Sequence, residues 1–227
     1  MKKHTLILTQ HGFTLIEIAM VLFIITILMA GLVPTITSQL EQQRINETRK
    51  QLNDIKDALI GYAVIYGRLP CPTTTADPNN ANYGVTDASC TAAPTSEGYL
   101  PWKTLGVPSI DAWGTRRKNS GDPWIGQWRY RVDRNFSAVF NLTTAFSADA
   151  LLIKDNSGNN ITTTTERPIA IVYSTGRNFA ADGQNASFEA SNGIYQSDVP
   201  SSTFDDIMIW VSRPQLLNRM VMAGKLP

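Results

Sequence analysis

Hydrophobic and polar positions change regime three times along the chain. From Phe13 to Val33, 21 residues carry one ionisable side chain, Glu17, in an otherwise apolar or small-residue run. As a helix, that run is long enough to cross a hydrocarbon core of roughly 30 Å. From Thr35 to Tyr66 the pattern turns periodic. Ile36, Leu40, Ile45, Leu52, Ile55, Leu59, Tyr62 and Tyr66 recur mostly at spacings of three and four, the stripe of an amphipathic helix. Glu41, Arg44, Glu47, Arg49, Lys50, Asp54 and Lys56 occupy the opposite, solvated face. Gly67 ends this pattern and Pro70 prevents its resumption. Pro34 lacks an N–H and crowds the preceding turn, a cost of about 3 kcal/mol within a helix, so a kink or loosened turn is expected there, with Gly31 weakening the helix nearby. Read as one helix, Phe13 to Tyr66 spans about 80 Å at 1.5 Å per residue, which requires lipid or sister helices around its first half and a folded head against its second.

The third regime begins with a long connection, Gly67 to about Gly121, rich in Pro, Thr, Asn and Gly. Loops of this size are tied down or functional. Short β-branched or aromatic runs then follow, bounded by turn residues: Trp128–Val132, Ser137–Leu142, Ala150–Lys154, Pro168–Ser174 and Asp206–Ser212. Asp155-Asn156-Ser157-Gly158-Asn159-Asn160 reads as a hairpin loop. Leu216, Leu217, Met220 and Val221 predict a short closing helix over Pro214–Ala223, ended by Gly224. Short connections between strands favour an antiparallel sheet packed on one helix. The predicted fold class is α+β, a long N-terminal helix on an antiparallel sheet head.

Composition is that of an ordinary globular protein, 43% hydrophobic and 17% charged over 227 residues, and does not by itself reveal the apolar run. Charge placement adds orientation. Lys2 and Lys3 precede the run and no acid lies before Glu17, so the N-terminus is expected in the cytoplasm and the rest across the membrane, in an oxidising compartment. A secretory signal is the competing reading, but it would have a shorter apolar region with its small-residue cleavage site after the run, whereas Gly12 precedes it. In such a compartment the two cysteines, Cys71 and Cys90, are expected to form a disulfide. Metal binding by them would need further thiols or histidines.

The stretch Gly12-Phe13-Thr14-Leu15-Ile16-Glu17 resembles the processing site of prepilins and pseudopilins, the subunits of type IV pili and type II secretion systems. The resemblance implies cleavage by a prepilin peptidase after Gly12, methylation of the new terminal residue Phe13, and a meeting of Glu17 with the terminal amine of a neighbouring subunit. A carboxylate and an ammonium that are each costly in lipid become tolerable as a pair. Removal of a 1–12 leader would take away His4 and His11, and with them histidine-dependent catalysis and His-ligated zinc. The leader also holds two of the 20 basic residues and none of the 19 acids, so the processed chain is net −1, with no electrostatic footprint for nucleic acid. Residues 13–33 then read as the transmembrane and assembly helix, 34–66 as its amphipathic continuation, and 67–227 as a periplasmic head.

The head carries further likenesses. Asp111-Ala112-Trp113-Gly114 resembles the Asp-x-Trp-Gly turn of major pseudopilins, although Thr115–Trp124 is inserted before the next strand. Ser174-Thr175-Gly176, the polar loop holding Asp182, and the pair Asp205 and Asp206 resemble the loop that binds calcium in those proteins. Six to eight oxygen ligands are needed, and carboxylates, amides and carbonyls of this loop could supply them. Asx turns and strand-end caps account for the same residues without a metal. Enzyme readings have less support. No phosphate-cradling glycine loop or nucleophile elbow is present, and Asp111, Asp122, Asp133 and Glu166 are no more acids than any such domain contains. The five tryptophans are read as core and loop anchors rather than a carbohydrate platform. The resulting expectation is a non-enzymatic minor pilin or pseudopilin whose partners are sister subunits, the peptidase and the inner membrane. The alternative is a single-span anchored binding or enzymatic domain that does not polymerise.

Overall fold

The apolar run and the amphipathic stripe join into one helix. In the computed structural model, which describes residues 12–91, 97–186 and 193–226, helix α1 spans Leu15–Tyr66 and stays helical through residue 34. The expected leader lies almost wholly outside the described residues. The chain divides into two compact units, Met1–Gln43 and Arg44–Pro227.

In the second unit, the buried positions of α1 are Thr48, Leu52, Ile55, Leu59, Ile60, Tyr62 and Ala63. Their spacing follows the predicted stripe, and the stripe is apolar because it faces a sheet. Each fully buried Leu or Ile contributes roughly 2 kcal/mol. The sheet holds four strands, β1 (Glu97–Tyr99), β2 (Arg129–Val132), β4 (Pro168–Ser174) and β6 (Ile207–Ser212), in the order β1-β2-β4-β6 with every neighbour antiparallel. Tyr130, Val132, Ala170, Val172 and Val211 share one core with Leu52, Ile55 and Leu59 of α1. Helix α3 (Arg213–Met222) adds Leu216 and Met220 to it. The Ser212 hydroxyl caps α3 by accepting from the Gln215 N–H, and the helix closes through Lys225 N–H to Met220 C=O and Gly224 N–H to Val221 C=O, with Gly224 at φ +66°. A long helix packed on an antiparallel sheet with a closing helix is the α+β, pilin-like arrangement that the sequence predicts.

The opposite sheet face is also covered. Strands β3 (Leu152–Lys154) and β5 (Ile194–Gln196) pair in parallel as a second small sheet. Leu151, Ile153 and Tyr195 pack there with Ile171 and Tyr173 of β4. Strand β4 therefore lies between two cores and all seven of its residues are buried, which explains why Pro168–Ser174 reads as a continuous apolar run rather than an alternating one. Strand β2 meets the double cover with charge. Its fully buried Arg131 lies 3.9 Å from Asp149, which also holds Arg134 at 2.8 Å.

One predicted strand, Ser137–Leu142, does not form. The segment follows a 3-10 turn (Arg134–Phe136) that Asp133 caps through the Asn135 N–H. Phe136 and Phe140, four residues apart, both enter the core. Ser137 and Asn141 side chains bond locally to Arg134 C=O and to the N–H of Thr143, so side-chain turns replace a ladder. The loop over 155–160 is a hairpin as predicted, with Asp155 receiving the Asn159 N–H on its side chain and a single Lys154–Asn160 bridge.

Cys71 and Cys90 are joined, with Cα atoms 5.6 Å apart and both residues buried. The closed loop is held further by Thr86, whose hydroxyl accepts from Cys71 N–H and donates to Cys71 C=O. Closing a loop of about 20 residues stabilises by about 3 kcal/mol in the chain-entropy model. Cys71→Ser with Cys90→Ser should lower the melting temperature by about 10 °C. A transition unchanged in differential scanning calorimetry would show that the loop contributes nothing to the head's stability.

Candidate functional site

The N-terminal site is built from local sequence. Thr14 precedes the first turn of α1, and its hydroxyl accepts from Glu17 N–H at 3.3 Å while Glu17 Oε2 accepts from Thr14 N–H at 2.9 Å. The Thr14 hydroxyl also donates to Oε2, at 2.9 Å. Thr-x-x-Glu is a reciprocal capping box. Glu17 thus closes the first turn of its own helix, a local role that the sequence reading did not assign to it. The signal was present in the spacing of Thr14 and Glu17. Beyond it the first unit exposes an apolar surface, with Phe13 82% and Leu15 89% exposed and Phe23, Leu28 and Met29 alongside. Thr26 satisfies its hydroxyl on Phe23 C=O at 2.8 Å and so adds little polarity. Among the described residues no helix is long and apolar enough to cross a membrane. The apolar run continues into Ala30–Val33, whose side chains lie outside them. Among the described residues a Cβ built on Gly12 meets nothing within 4 Å, so packing against them places no demand for glycine there.

The second site lies at the ends of β4 and β6. The turn Asp111–Gly114 starts the chain of contacts: Asp111 Oδ1 accepts from Trp113 N–H at 2.9 Å, and Gly114 packs against Gly126, which has φ +67°. The insertion Thr115–Trp124 loops out from this contact, with Thr115 N–H returning to Ile125 C=O. The other carboxylate oxygen of Asp111 receives the Ser174 hydroxyl at the end of β4, and that hydroxyl accepts from Gly176 N–H. Gly176, at φ +60°, has no room for a Cβ against Asp205.

There the three predicted acids converge. One carboxylate oxygen from each of Asp182, Asp205 and Asp206 lies within 4.8 Å of the others. Asp205 Oδ2 accepts from the N–H groups of Arg177 and Asn178. Asp182 accepts from the Asn178 amide and from Asp205 N–H. Asp206 Oδ2 accepts from Asp182 N–H and from the Asn185 amide, each at 2.9 Å. Sequence reasoning passed over the support behind them. Buried Asn185 exchanges bonds with the Gln196 backbone in β5, and only the pairing of distant strands brings that residue to Asp206.

The remaining oxygens, Asp205 Oδ1 and Asp206 Oδ1, are buried and have no hydrogen-bond partner among the described residues. Burial, joined by the charges of Asp182 and Asp205, pushes the Asp206 carboxyl up to about 7. Burial also raises Asp205. Two ligands on one hard cation stand at most about 4.8 Å apart when each bond is about 2.4 Å. The cluster therefore fits a single ion, and the three acids could bind a metal. The other acids serve their own loops: Asp122 accepts from Lys118 and Asn119 N–H, and Asp133 from Asn135 and Ser147 N–H. Burial raises both Asp111 and Asp133.

The capped helix start and the apolar helix that follows it lie in the one stretch of the chain that a family model matches. Residues 8–33 match the prokaryotic N-terminal methylation motif, the type IV prepilin-like signal. The motif implies processing by prepilin peptidase from a membrane-anchored precursor with a periplasmic head. No curated protein and no solved structure matches the chain.

Proposed function

We propose that the chain is a structural subunit, a minor pilin or pseudopilin, assembled into a type IV pilus or type II secretion pseudopilus. The observation that carries this reading is the methylation motif over residues 8–33, with Gly12 at the cut and Glu17 five residues beyond it. Residues 1–12 are the leader, 13–33 the span and assembly helix, 34–66 its amphipathic continuation, and 67–227 the head. The apolar surface from Phe13 to Met29 has no partner within the described chain and suits lipid first and sister helices afterwards. Once the leader is gone, the Phe13 amine of one subunit pairs with Glu17 of another.

The acid cluster gives the head a structural calcium site, with Asp182, Asp205 and Asp206 as ligands. Calcium suits the all-oxygen donor set, and the unpartnered oxygens of Asp205 and Asp206 are the atoms left for it. An ion there would tie the loop after β4 to the start of β6.

Mass spectrometry of the protein extracted from its host membrane tests the first step. The expected chain begins at methylated Phe13; a chain still beginning at Met1 would defeat the reading. Gly12→Ala should leave the head folded, since a Cβ there meets open space, yet lower the processed fraction at least tenfold. Unchanged processing of that variant would place recognition elsewhere.

A further inference from the structure

The two parts of the head without a role so far, the disulfide-closed loop and the Thr115–Trp124 insertion, meet at one cleft of about 300 Å³. The loop supplies Tyr83, and the insertion supplies Arg116 and Arg117. Trp102, on the short helix α2 (Trp102–Leu105), forms an aromatic wall with Tyr83, their rings 5.9 Å apart and edge to face. Gly84, at φ +72°, lies so close under the Trp102 indole that a Cβ would overlap it, so the ring is fixed from behind. Pro78, Val107, Pro108, Ser109 and Gln127 complete the lining.

Arg117 stands out in this setting. It is only 7% exposed and its guanidinium lies 3.8 Å over the Trp124 ring. Nη2 donates to Ser120 C=O at 2.7 Å, while Nε and Nη1 have no hydrogen-bond partner among the described residues. The Asp122 carboxylate nearby is held by the N–H groups of Lys118 and Asn119, not by the guanidinium. The Gln127 amide nitrogen, in a residue 3% exposed, likewise has no partner among the described residues. Asp122, which does not line the cleft, interacts with Arg117 through its charge alone, and a buried guanidinium with no carboxylate bonded to it is costly. Here a second arginine, Arg116, lies on the same cleft and no acid lines it. The cleft has surplus donors and positive charge beside an aromatic wall.

We propose that this cleft binds a carboxylate-bearing sugar ring, a uronic acid, free or as a residue of an acidic polysaccharide. The carboxylate answers the two arginines, in the charge-assisted geometry guanidinium favours. The apolar face of the pyranose lies on the Tyr83 and Trp102 wall, and the ring hydroxyls meet Gln127. A bare phosphate would leave the aromatic wall unused. A nucleotide would overrun a cavity at the small end of the ligand range.

The test is a titration of the full chain in detergent with chelator present, followed by tryptophan fluorescence and saturation-transfer NMR, using D-galacturonate, a galacturonate oligomer, D-glucose and inorganic phosphate. Galacturonate should bind at least tenfold more tightly than glucose or phosphate. Tighter binding of the oligomer would identify a polymer as the source, and equal binding the free acid. Arg117→Gln should raise the galacturonate Kd at least tenfold, and exposed Arg116→Ser, which removes no buried contact, several-fold. No galacturonate binding, equal affinity for glucose or phosphate, or unchanged affinity in both variants would overturn the proposal. The titration uses the isolated protein, so its outcome is independent of leader cleavage and filament incorporation.

Discussion

Glu17→Gln should leave the protein inserted and processed but lower its incorporation into filaments at least tenfold. The choice of glutamine matters because Glu17 has two physical uses. Its side chain closes a capping box with Thr14, and its charge is the proposed partner of a neighbour's terminal amine. Glutamine retains an oxygen that can accept from Thr14 N–H, so the box survives, while the charge disappears. Alanine removes both uses and cannot separate them. If Glu17→Gln assembles normally and Glu17→Ala does not, the residue acts as a helix cap and the intersubunit pair is wrong. Quantifying the variant in sheared filaments against the membrane pool reads this directly. The two forms share apolar burial along the helix, so a loss must come from the charge. Removing one charge of a carboxylate–ammonium pair held away from water leaves the other uncompensated, which costs far more than breaking the same pair in solvent.

Saturating calcium should raise the melting temperature of the chelator-treated protein by about 5 to 10 °C, and Asp206→Asn should abolish that rise. At a hundred times Kd, a ligand that binds only the folded state stabilises by about 2.7 kcal/mol, and for a head of this size each kcal/mol moves the midpoint by about 2–4 °C. The asparagine oxygen can still accept from Asp182 N–H and the Asn185 amide, so the loop keeps its bonds while one of three clustered charges is lost. With chelator present, the variant should therefore melt higher than the parent above pH 7. The pH dependence follows from the same burial. Asp206 ionises near 3.8 in the unfolded chain and at about 7 in the folded one. The folded state binds the extra proton between those values, so stability from this group is fully present below about pH 4 and is lost as pH rises through about 7. Asp111 and Asp133, also raised by burial, act in the same direction. Calcium should flatten the decline. A midpoint indifferent to calcium, with Asp206→Asn no more stable than the parent, would remove both the ion and the strained cluster.

Much of the architecture was legible because it rests on local spacing. The stripe from Leu52 to Tyr62 needs only 3.6 residues per turn and an apolar partner, and the unbroken apolar run of Pro168–Ser174 indicated burial, though not that a second sheet covers the other face. Ser137–Leu142 misled because β-branched and aromatic content was weighed without the caps supplied by Asp133, Ser137 and Asn141. Strands β1 and β5 are three residues long and cannot display a period.

By itself the sequence determined what short-range physics encodes: the methylation motif, the helix and its apolar face, four of the strands, the closing helix, and the choice of Cys71 and Cys90 as partners in an oxidising compartment. The tertiary structure decided what depends on residues far apart in the chain. It brought Asp182 to within ligand distance of Asp205 and Asp206, placed Asn185 and Gln196 behind them, buried Arg131 beside Asp149, and joined the disulfide loop to the insertion around Arg117. Spacing along a helix or strand fixes which side chains share a face. Which faces meet is set by packing the whole chain around its cores, and the sites of the head are made where they meet.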